Sequence, residues 1–204
     1  MKTRVILMRH GMTEWVKQKR YCGTADIELN ETGLTQAEKL YERLQHEKIN
    51  QVFSSDLKRC VRFAEIACKG HSINISPALR ELTFGIFEGK TFEELKEQMP
   101  ELYTKWITTP FKTHIPQAED MLAFAKRVLD EFKRIITSYT GKTIVICTHA
   151  GPIRVILSNA SGENLEDMMH FKIQAASMHI IEYAEGEAEI IVQNDTSHLD
   201  GTGV

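Results

Sequence analysis

A short apolar run near the start of the chain, residues 5–8, constrains the fold more than any other stretch. Four consecutive apolar residues are typical of a strand that is buried on both faces of a parallel sheet. Arg9, His10 and Gly11 follow the run directly. In open α/β sheets, ligands bind at the carboxyl ends of the strands. The run therefore predicts a buried strand that brings a cation and an imidazole to a ligand-binding edge, where Gly11 lets the backbone turn sharply and approach a ligand closely.

The length and composition of the chain are typical of one globular domain, which we predict to span residues 1–204. A hydrophobic content of 42% in 204 residues is enough for a sizeable core. The formal net charge is -3, from 25 basic and 28 acidic residues, and no block of basic residues indicates nucleic-acid binding. The apolar run at the N-terminus is too short for a signal peptide or a membrane span. We therefore expect a cytoplasmic protein that binds neither nucleic acid nor membrane, and the composition leaves its oligomeric state open.

The four cysteines are scattered along the chain and include no Cys-x-x-Cys pair. Neither a disulfide framework nor a zinc ribbon is therefore indicated, and a reducing compartment is expected. We predict that the cysteines, Cys22, Cys60, Cys68 and Cys147, serve as small buried hydrophobic residues.

Strand and helix patterns alternate along the rest of the chain. The apolar runs predict further strands at 52–54, 73–79, 142–147, 178–183 and 189–193. Helical periodicity predicts helices at 34–44, 57–69, 91–99, 101–109 and 118–139, and another helix that begins near Pro152. Residues 35–38 have the spacing of a capping box for the first of these helices, and residues 54–56 can cap the second. This order predicts an α/β three-layer sandwich with a mainly parallel central sheet.

Polar side chains follow four of the predicted strands. They are Arg9 and His10, Ser54 with Arg59 just beyond it, Arg80 and Glu81, and His149. Parallel strands all point the same way, so their carboxyl ends share one edge of the sheet. We therefore expect two histidines, two or three arginines and one glutamate to converge at that edge.

This set of side chains suits phosphoryl transfer. Guanidinium groups match phosphate oxygens in pairs, and a neutral imidazole beside them can attack phosphorus because the cations disfavour its protonated form. A nearby carboxyl group can protonate the leaving alkoxide, and a second imidazole can donate a hydrogen bond to the phosphoryl oxygens. The sequence has no P-loop motif, no cluster of carboxylates and no spaced metal ligands. It therefore predicts transfer through a covalent phosphohistidine, with no metal and no cofactor.

Four motifs occur in a characteristic order: Arg9-His10-Gly11-x-Thr13, Ser54-Ser55-Asp56-Leu57-x-Arg59-Cys60, Leu79-Arg80-Glu81-x-x-Phe84-Gly85-x-x-Glu88-Gly89, and Thr148-His149-Ala150-Gly151-x-Ile153-Arg154. Together they resemble the signature of the histidine phosphatase superfamily, in its phosphoglycerate-mutase-like branch. The resemblance implies His10 as the nucleophile, Glu81 as the general acid and base, and a phosphate pocket made by Arg9, Arg59 and His149. The candidate substrate-binding residues are Gly11, Thr13, Cys22, Gly23 and Ala150.

Within this superfamily the chain is most similar to α-ribazole phosphatases and related small phosphatases. The similar parts are Tyr21-Cys22-Gly23-x-x-Asp26, residues 87–91, residues 100–103 with Trp106, and residues 196–199. The resemblance implies a small-molecule phosphoester substrate, with α-ribazole 5′-phosphate, from cobalamin biosynthesis, as one candidate. The chain departs from the family at Val16, where relatives usually have asparagine, and its segment between Glu81 and His149 is shorter than in the mutases.

Two other functions stay open at this point. A phosphoglycerate-mutase-type phosphotransferase would pass the phosphoryl group to a second hydroxyl instead of water. A catalytically weak module would bind phosphoesters without turnover. The presence of His10, Glu81 and His149 argues against a module without turnover, and the shorter segment between Glu81 and His149 argues against a mutase. Glu88 is a second carboxylate that could take the role of Glu81.

Several further residues have structural and functional interpretations. We expect Arg80 and Arg154 to form ion pairs within the scaffold. His198 lies over the site if the C-terminal segment folds back, and in solvent otherwise. Trp15 and Trp106 either line a pocket for an aromatic substrate or pack elsewhere.

Overall fold

A six-stranded sheet lies at the centre of the computed structural model, which describes residues 1–199. Its spatial order is β3-β2-β4-β1-β5-β6. The strands are β1 (Thr3–Arg9), β2 (Gln51–Ser54), β3 (Ile73–Ile75), β4 (Thr143–Thr148), β5 (Met178–Ala184) and β6 (Glu187–Asp195). The first four are parallel, and β5 and β6 add an antiparallel ribbon beside β1. The prediction of an α/β fold with a mainly parallel central sheet is confirmed.

The middle of β1 is buried on both sides because its apolar residues alternate between two cores. Val5 and Leu7 face the core on one side of the sheet, and Ile6 and Met8 face the core on the other. All four side chains are fully buried. Helices α2 (Glu31–Leu44) and α3 (Lys58–Ala67) contribute to the second core, while α6 (Met121–Ser138) and α7 (Ala150–Ser161) contribute to the first. Helices thus cover both faces of the sheet.

Three shorter helices complete the set in the described part of the chain: α1 (Glu14–Lys17), α4 (Phe92–Gln98) and α5 (Pro100–Thr108). Helix α1 was not predicted from the sequence. A capping box of Thr91 and Glu94 begins α4, which lies within the predicted helix 91–99. Pro100 begins α5, since proline lacks the N–H that continuation of α4 would need. None of the helices within residues 1–199 is long and apolar enough to cross a membrane.

Two predicted caps and one predicted strand differ from the structure. Helix α2 begins earlier than predicted, because the side chain of Asn30 accepts a hydrogen bond from Gly33 N–H and caps it. Helix α3 begins at Lys58 without a side-chain cap, since the Ser55 hydroxyl contacts His149 and the Asp56 carboxylate pairs with Arg80. The predicted strand 73–79 ends at Ile75, and Pro77 starts a 3₁₀ turn, Pro77–Leu79. That turn redirects the chain toward Glu81.

Candidate active site

The carboxyl ends of β1 and β4 bring the two candidate histidines together. Arg9 and Thr148 are partners in the parallel register of these strands, and His10 N–H donates to the Thr148 carbonyl at 3.0 Å. The imidazoles of His10 and His149 follow directly, with ring centroids 5.1 Å apart in an edge-to-face arrangement. Both rings are buried. The expectation that parallel strand ends deliver these side chains to one edge agrees with this geometry.

The surroundings of His10 determine which of its nitrogens is free to react. Nδ1 lies 2.8 Å from the Gly11 carbonyl oxygen, which can only accept, so Nδ1 carries the proton. Nε2 therefore keeps its lone pair, and Arg59 donates to it through Nε at 3.2 Å. Burial, together with the charges of Arg59 and Arg9, holds the pKa of His10 well below its ordinary value. His10 is thus a neutral imidazole with an unprotonated Nε2.

Arg59 and Arg9 donate to backbone carbonyls and form no ion pair with a carboxylate among residues 1–199. Arg59 is fully buried and donates to the carbonyls of Gly23 at 2.6 Å and Ala25 at 2.7 Å. Arg9 donates through Nη1 to the Ile173 carbonyl at 2.8 Å. Its Nε is buried and has no hydrogen-bond partner among the described residues. Two guanidinium groups anchored in this way are suited to receive an anion beside His10.

Burial also affects the ionisation of Arg9. It lowers the pKa of this side chain to about 10, although the charge of Glu81 acts in the opposite direction. The side chain stays protonated at neutral pH. A guanidinium whose Nε–H is buried without a partner is stabilised by an anionic ligand, because the ligand supplies both a negative charge and a hydrogen-bond acceptor.

His149 is fixed by residues that precede and begin α3. Its Nε2 lies 2.9 Å from the Ser55 hydroxyl and 3.4 Å from Cys60 Sγ. Burial, followed by the charges of Arg59 and His10, holds the pKa of His149 well below its ordinary value. The sequence placed Ser55 within a motif but did not identify this contact. Its position directly after β2, on the same sheet edge, is the signal that points to it.

Glu81 is held in the site by backbone N–H groups, one of which belongs to α7. Its carboxylate accepts hydrogen bonds from Gly151 N–H and from Leu82 N–H, each at 3.0 Å. Glu81 is 7% exposed and faces the same cleft as His10. The Thr148 hydroxyl donates to the Leu79 carbonyl at 2.6 Å and ties the end of β4 to the segment that carries Glu81. The carboxylate is therefore positioned by main-chain groups.

Glu88, the alternative carboxylate, contacts the backbone of a neighbouring loop instead. It accepts from the N–H groups of Gly23 at 3.2 Å, Thr24 at 2.9 Å and Phe84 at 3.3 Å. Because Gly23 also supplies a carbonyl to Arg59, Glu88 supports the loop that holds this arginine. Glu81 lines the cleft and Glu88 does not.

The cleft in front of His10 has a volume of about 460 Å³. Of the candidate substrate-binding residues, Cys22 and Ala150 line it. Val16, the departure from the family pattern, lines it as well. Arg59 and His149 are completely buried and lie deeper, in contact with His10.

The other three candidate substrate-binding residues do not line the cleft. The Thr13 hydroxyl caps α1 by accepting from Val16 N–H at 3.1 Å. Gly23 contacts Glu88 and Arg59 as described above. At Gly11 a Cβ would lie 2.7 Å from the Gly33 carbonyl oxygen, so glycine here permits close packing against α2. The sequence had suggested close approach to a ligand for Gly11, and helix packing is the contact observed.

Arg80 and Arg154 have different surroundings. Arg80 forms the predicted scaffold ion pair, with two contacts to Asp56. Arg154 does not form the predicted ion pair with any of residues 1–199, and instead donates through Nε to the Phe171 carbonyl at 3.1 Å and lines the cleft. The local pattern could not distinguish the two arginines, because their partners lie in other segments.

The two tryptophans have different surroundings: Trp106 lines a second pocket beside Glu81, whereas Trp15 packs over Gly89.

Three of the four cysteines, Cys60, Cys68 and Cys147, are buried as predicted. Cys22 is only partly buried, and its burial raises the pKa of its thiol to about 11.

The C-terminal prediction for His198 requires correction, because this residue lies in neither of the two expected places. The turn Ser197–Leu199 packs against α2, and Leu199 contacts the core on that side of the sheet. The imidazole nitrogens of His198 are buried there. The apolar neighbour Leu199 explains why this segment packs against the protein.

Comparisons with known proteins agree with this geometry. The family model of the histidine phosphatase superfamily (branch 1) matches residues 5–196. Phosphoglycerate mutase-like protein 4 of Arabidopsis thaliana is 32% identical over 207 residues, covering 98% of this chain and 88% of that protein. Phosphoserine phosphatase 1 of Hydrogenobacter thermophilus is 30% identical over 198 residues, covering 96% of this chain and 94% of that protein.

A solved structure shows the same architecture. The α-ribazole phosphatase of Shigella flexneri superposes with a TM-score of 0.86 at 27% identity, covering 94% of this chain and 96% of that one. The resemblance stated from the four motifs is therefore confirmed. The chain belongs to the histidine phosphatase superfamily and is a phosphatase.

Proposed function

We propose that this protein hydrolyses a small phosphomonoester through a covalent phosphohistidine on Nε2 of His10, without a metal or a cofactor. The observation that carries the proposal is the unprotonated Nε2 of a buried neutral His10, 3.2 Å from Arg59 Nε. An imidazole in this state can attack phosphorus, and the adjacent guanidinium can bind the phosphoryl oxygens as they approach. His149 lies beside this position as a further donor.

The first half of the proposed reaction transfers the phosphoryl group to the protein. Nε2 of His10 forms a bond to phosphorus while the bond between phosphorus and the ester oxygen breaks. Glu81 gives its proton to the departing oxygen, which leaves as an alcohol. Arg9, Arg59 and His149 stabilise the charge on the three phosphoryl oxygens.

The second half returns the protein to its starting state. Glu81, now a carboxylate, takes a proton from water as the water oxygen attacks the phosphohistidine. The bond between phosphorus and Nε2 of His10 breaks, and inorganic phosphate leaves. Cys22 and Ala150, which line the cleft, are the candidate residues that contact the substrate.

The relatives support a small-molecule substrate without defining it. Named relatives include phosphatases of phosphoserine and of α-ribazole phosphate. We propose a small phosphorylated metabolite, with α-ribazole 5′-phosphate as one candidate.

The proposal is tested by trapping the phosphorylated protein during turnover. A phosphoramidate is labile in acid and survives alkali, so the label should show that profile and map to the peptide that contains His10. The His10→Ala variant should carry no label, and His46→Ala, which changes an exposed histidine outside the cleft, should be labelled normally. Label on a serine, or label that persists in His10→Ala, would contradict the mechanism.

A further inference from the structure

A second pocket adjoins the phosphate cleft on the side of Glu81. It has a volume of about 250 Å³. The residues that line both the pocket and the cleft are Tyr21, Glu81, Phe84 and Arg154. The two cavities therefore meet at the carboxylate that we assign as the proton donor.

The wall of this pocket is apolar and comes from several separate segments. Trp106 and Ile107 come from α5, Met121 and Phe124 from α6, and Met168 and Met169 from the 3₁₀ turn Leu165–His170. Glu81 and Arg154 are the charged residues among its lining. The hydroxyl of Tyr21 already donates a hydrogen bond, of 3.2 Å, to the hydroxyl of Tyr103.

The rim of the pocket exposes apolar side chains to solvent. Ile107 is 56% exposed and Met169 is 57% exposed, and both line the pocket. Phe92, at 43% exposure, lines the adjoining cleft. These are three of the seven large hydrophobic side chains that are exposed within residues 1–199. Grouped exposure of this kind marks a binding surface, whereas single exposed apolar residues need no explanation.

We propose that this pocket binds the leaving alcohol, and that the substrate is a phosphomonoester whose alcohol carries an apolar or aromatic group. The assignment rests on the proposed function, since the ester oxygen must lie between the phosphorus attacked by His10 and the proton of Glu81. The carbon skeleton beyond that oxygen then enters the pocket that Glu81 also lines. An empty apolar cavity of about 150 Å³ is enough to hold benzene, so 250 Å³ accommodates a ring or a short alkyl chain.

A polar amino-acid alcohol fits this pocket less well. The ammonium group of phosphoserine would contact Glu81, in competition with proton transfer. Its carboxylate would have Arg154 as the cation in the lining, and Arg154 already donates through Nε to the Phe171 carbonyl. Most of the remaining wall, including Trp106 and Met168, would desolvate these charged groups without replacing their hydrogen bonds. The apolar lining therefore favours hydrocarbon over a zwitterion.

The test measures kcat/KM for phosphate release from methyl, propyl, butyl and hexyl phosphate, benzyl phosphate and O-phosphoserine. Burial of each added methylene should raise kcat/KM about three- to fourfold until the pocket is full. Benzyl phosphate should exceed O-phosphoserine at least tenfold. A flat or falling series, or a preference for O-phosphoserine, would overturn the pocket assignment while leaving the proposed function intact. No phosphate release from any ester would overturn both.

Two exposed apolar residues provide a matched pair of variants. Met169→Ala removes part of the pocket rim, and Leu122→Ala removes a leucine, 62% exposed, that does not line the pocket. Met169→Ala should lower kcat/KM for hexyl phosphate several-fold more than for methyl phosphate, and Leu122→Ala should change neither. Trp106→Ala should enlarge the difference to about tenfold. Equal losses with both esters in Met169→Ala would overturn the assignment, and this variant keeps the test decisive if Trp106→Ala does not fold.

Discussion

The backbone N–H of Gly151 donates a hydrogen bond to the Glu81 carboxylate at 3.0 Å, and a Cβ at position 151 would collide with that carboxylate as it lies in the structure. A Cβ on Gly151 would lie 2.1 Å from Oε1 of Glu81 and 3.0 Å from the ring of Phe124. The first turn of α7 therefore both binds the carboxylate and leaves the space that it occupies. The position of the proposed proton donor depends on a residue that has no side chain.

Gly151→Ala should displace Glu81 and slow the hydrolysis of alkyl phosphates by about 10²-fold in kcat, because a shift of about 1 Å can have an effect of that size. Inhibition by inorganic phosphate should change little, since Arg9 and Arg59 are untouched. Ser161→Ala, at the exposed far end of α7, serves as the control and should retain full activity. An unchanged kcat in a folded Gly151→Ala variant would show that this contact does not position the acid.

Glu81→Gln should separate proton donation from phosphate binding. The glutamine side chain keeps its size and its hydrogen-bonding reach but cannot transfer a proton. An alkyl phosphate leaves as a strongly basic alkoxide and needs that proton, an effect of about 10²–10⁴ in rate, whereas p-nitrophenyl phosphate leaves as a stable phenolate. Single-turnover phosphorylation of His10 should therefore fall far more with the alkyl ester. Equal losses with the two esters would remove Glu81 from the acid role.

Glu88→Gln should have a different signature from Glu81→Gln. The Glu88 carboxylate supports the loop that supplies carbonyls to Arg59. Loss of this carboxylate should therefore weaken binding of the phosphoryl group by Arg59. We expect similar decreases in kcat/KM for alkyl and p-nitrophenyl esters, by several-fold. The same comparison in Arg59→Ala should give a larger loss that is again equal for both esters. A selective loss with alkyl esters in Glu88→Gln would identify Glu88 as the proton donor.

The buried histidines should make the protein sensitive to acid. Burial lowers the pKa of His179 to about 4, and it lowers the pKa of His10 and of His149 well below the ordinary value. The unfolded chain therefore binds more protons than the native protein below pH about 6.5, and the free energy of unfolding falls as the pH decreases. Between its lowered pKa and pH about 6.5, each such histidine reduces the free energy of unfolding by roughly 1 kcal/mol for each unit that the pH falls.

His179→Gln, outside the cleft, should isolate one of these contributions. Urea unfolding at pH 7.5 and pH 5.0 should show a smaller loss of stability in the variant than in the unmodified protein. His179 accepts from Asn194 N–H and contacts the Ser177 hydroxyl, so the variant is also expected to be less stable at pH 7.5. Equal pH dependence in the two proteins would contradict the lowered pKa of His179.

Excess chelator should leave the activity unchanged, because Arg9 and Arg59 supply the positive charge beside His10. Phosphate release should be measured before and after prolonged incubation with chelator, and again after a divalent cation has been added back. Loss of turnover on chelation, restored by the cation, would place the protein in a different mechanistic class of phosphatase.

The sequence by itself determined the parts of the site that depend on local pattern. The apolar runs that became β1 and β4 end directly before His10 and His149, and strands buried on both faces must be hydrophobic throughout. Because neighbouring parallel strands end at the same edge, the approach of the two histidines followed from the order of the elements. Arg59 and Glu81 were identified in the same way, from their positions just beyond strand-like segments.

Only the tertiary structure decided which groups the site residues contact in other segments of the chain. Glu81 and Gly151 are 70 positions apart, and the contact of Glu88 with the loop that holds Arg59 is equally invisible in the local pattern. The same is true of Arg154, which lines the cleft instead of forming an ion pair, and of His198, which packs against α2. These outcomes depend on packing between segments that are distant along the chain, whereas hydrophobic periodicity reports only which face of each element is buried.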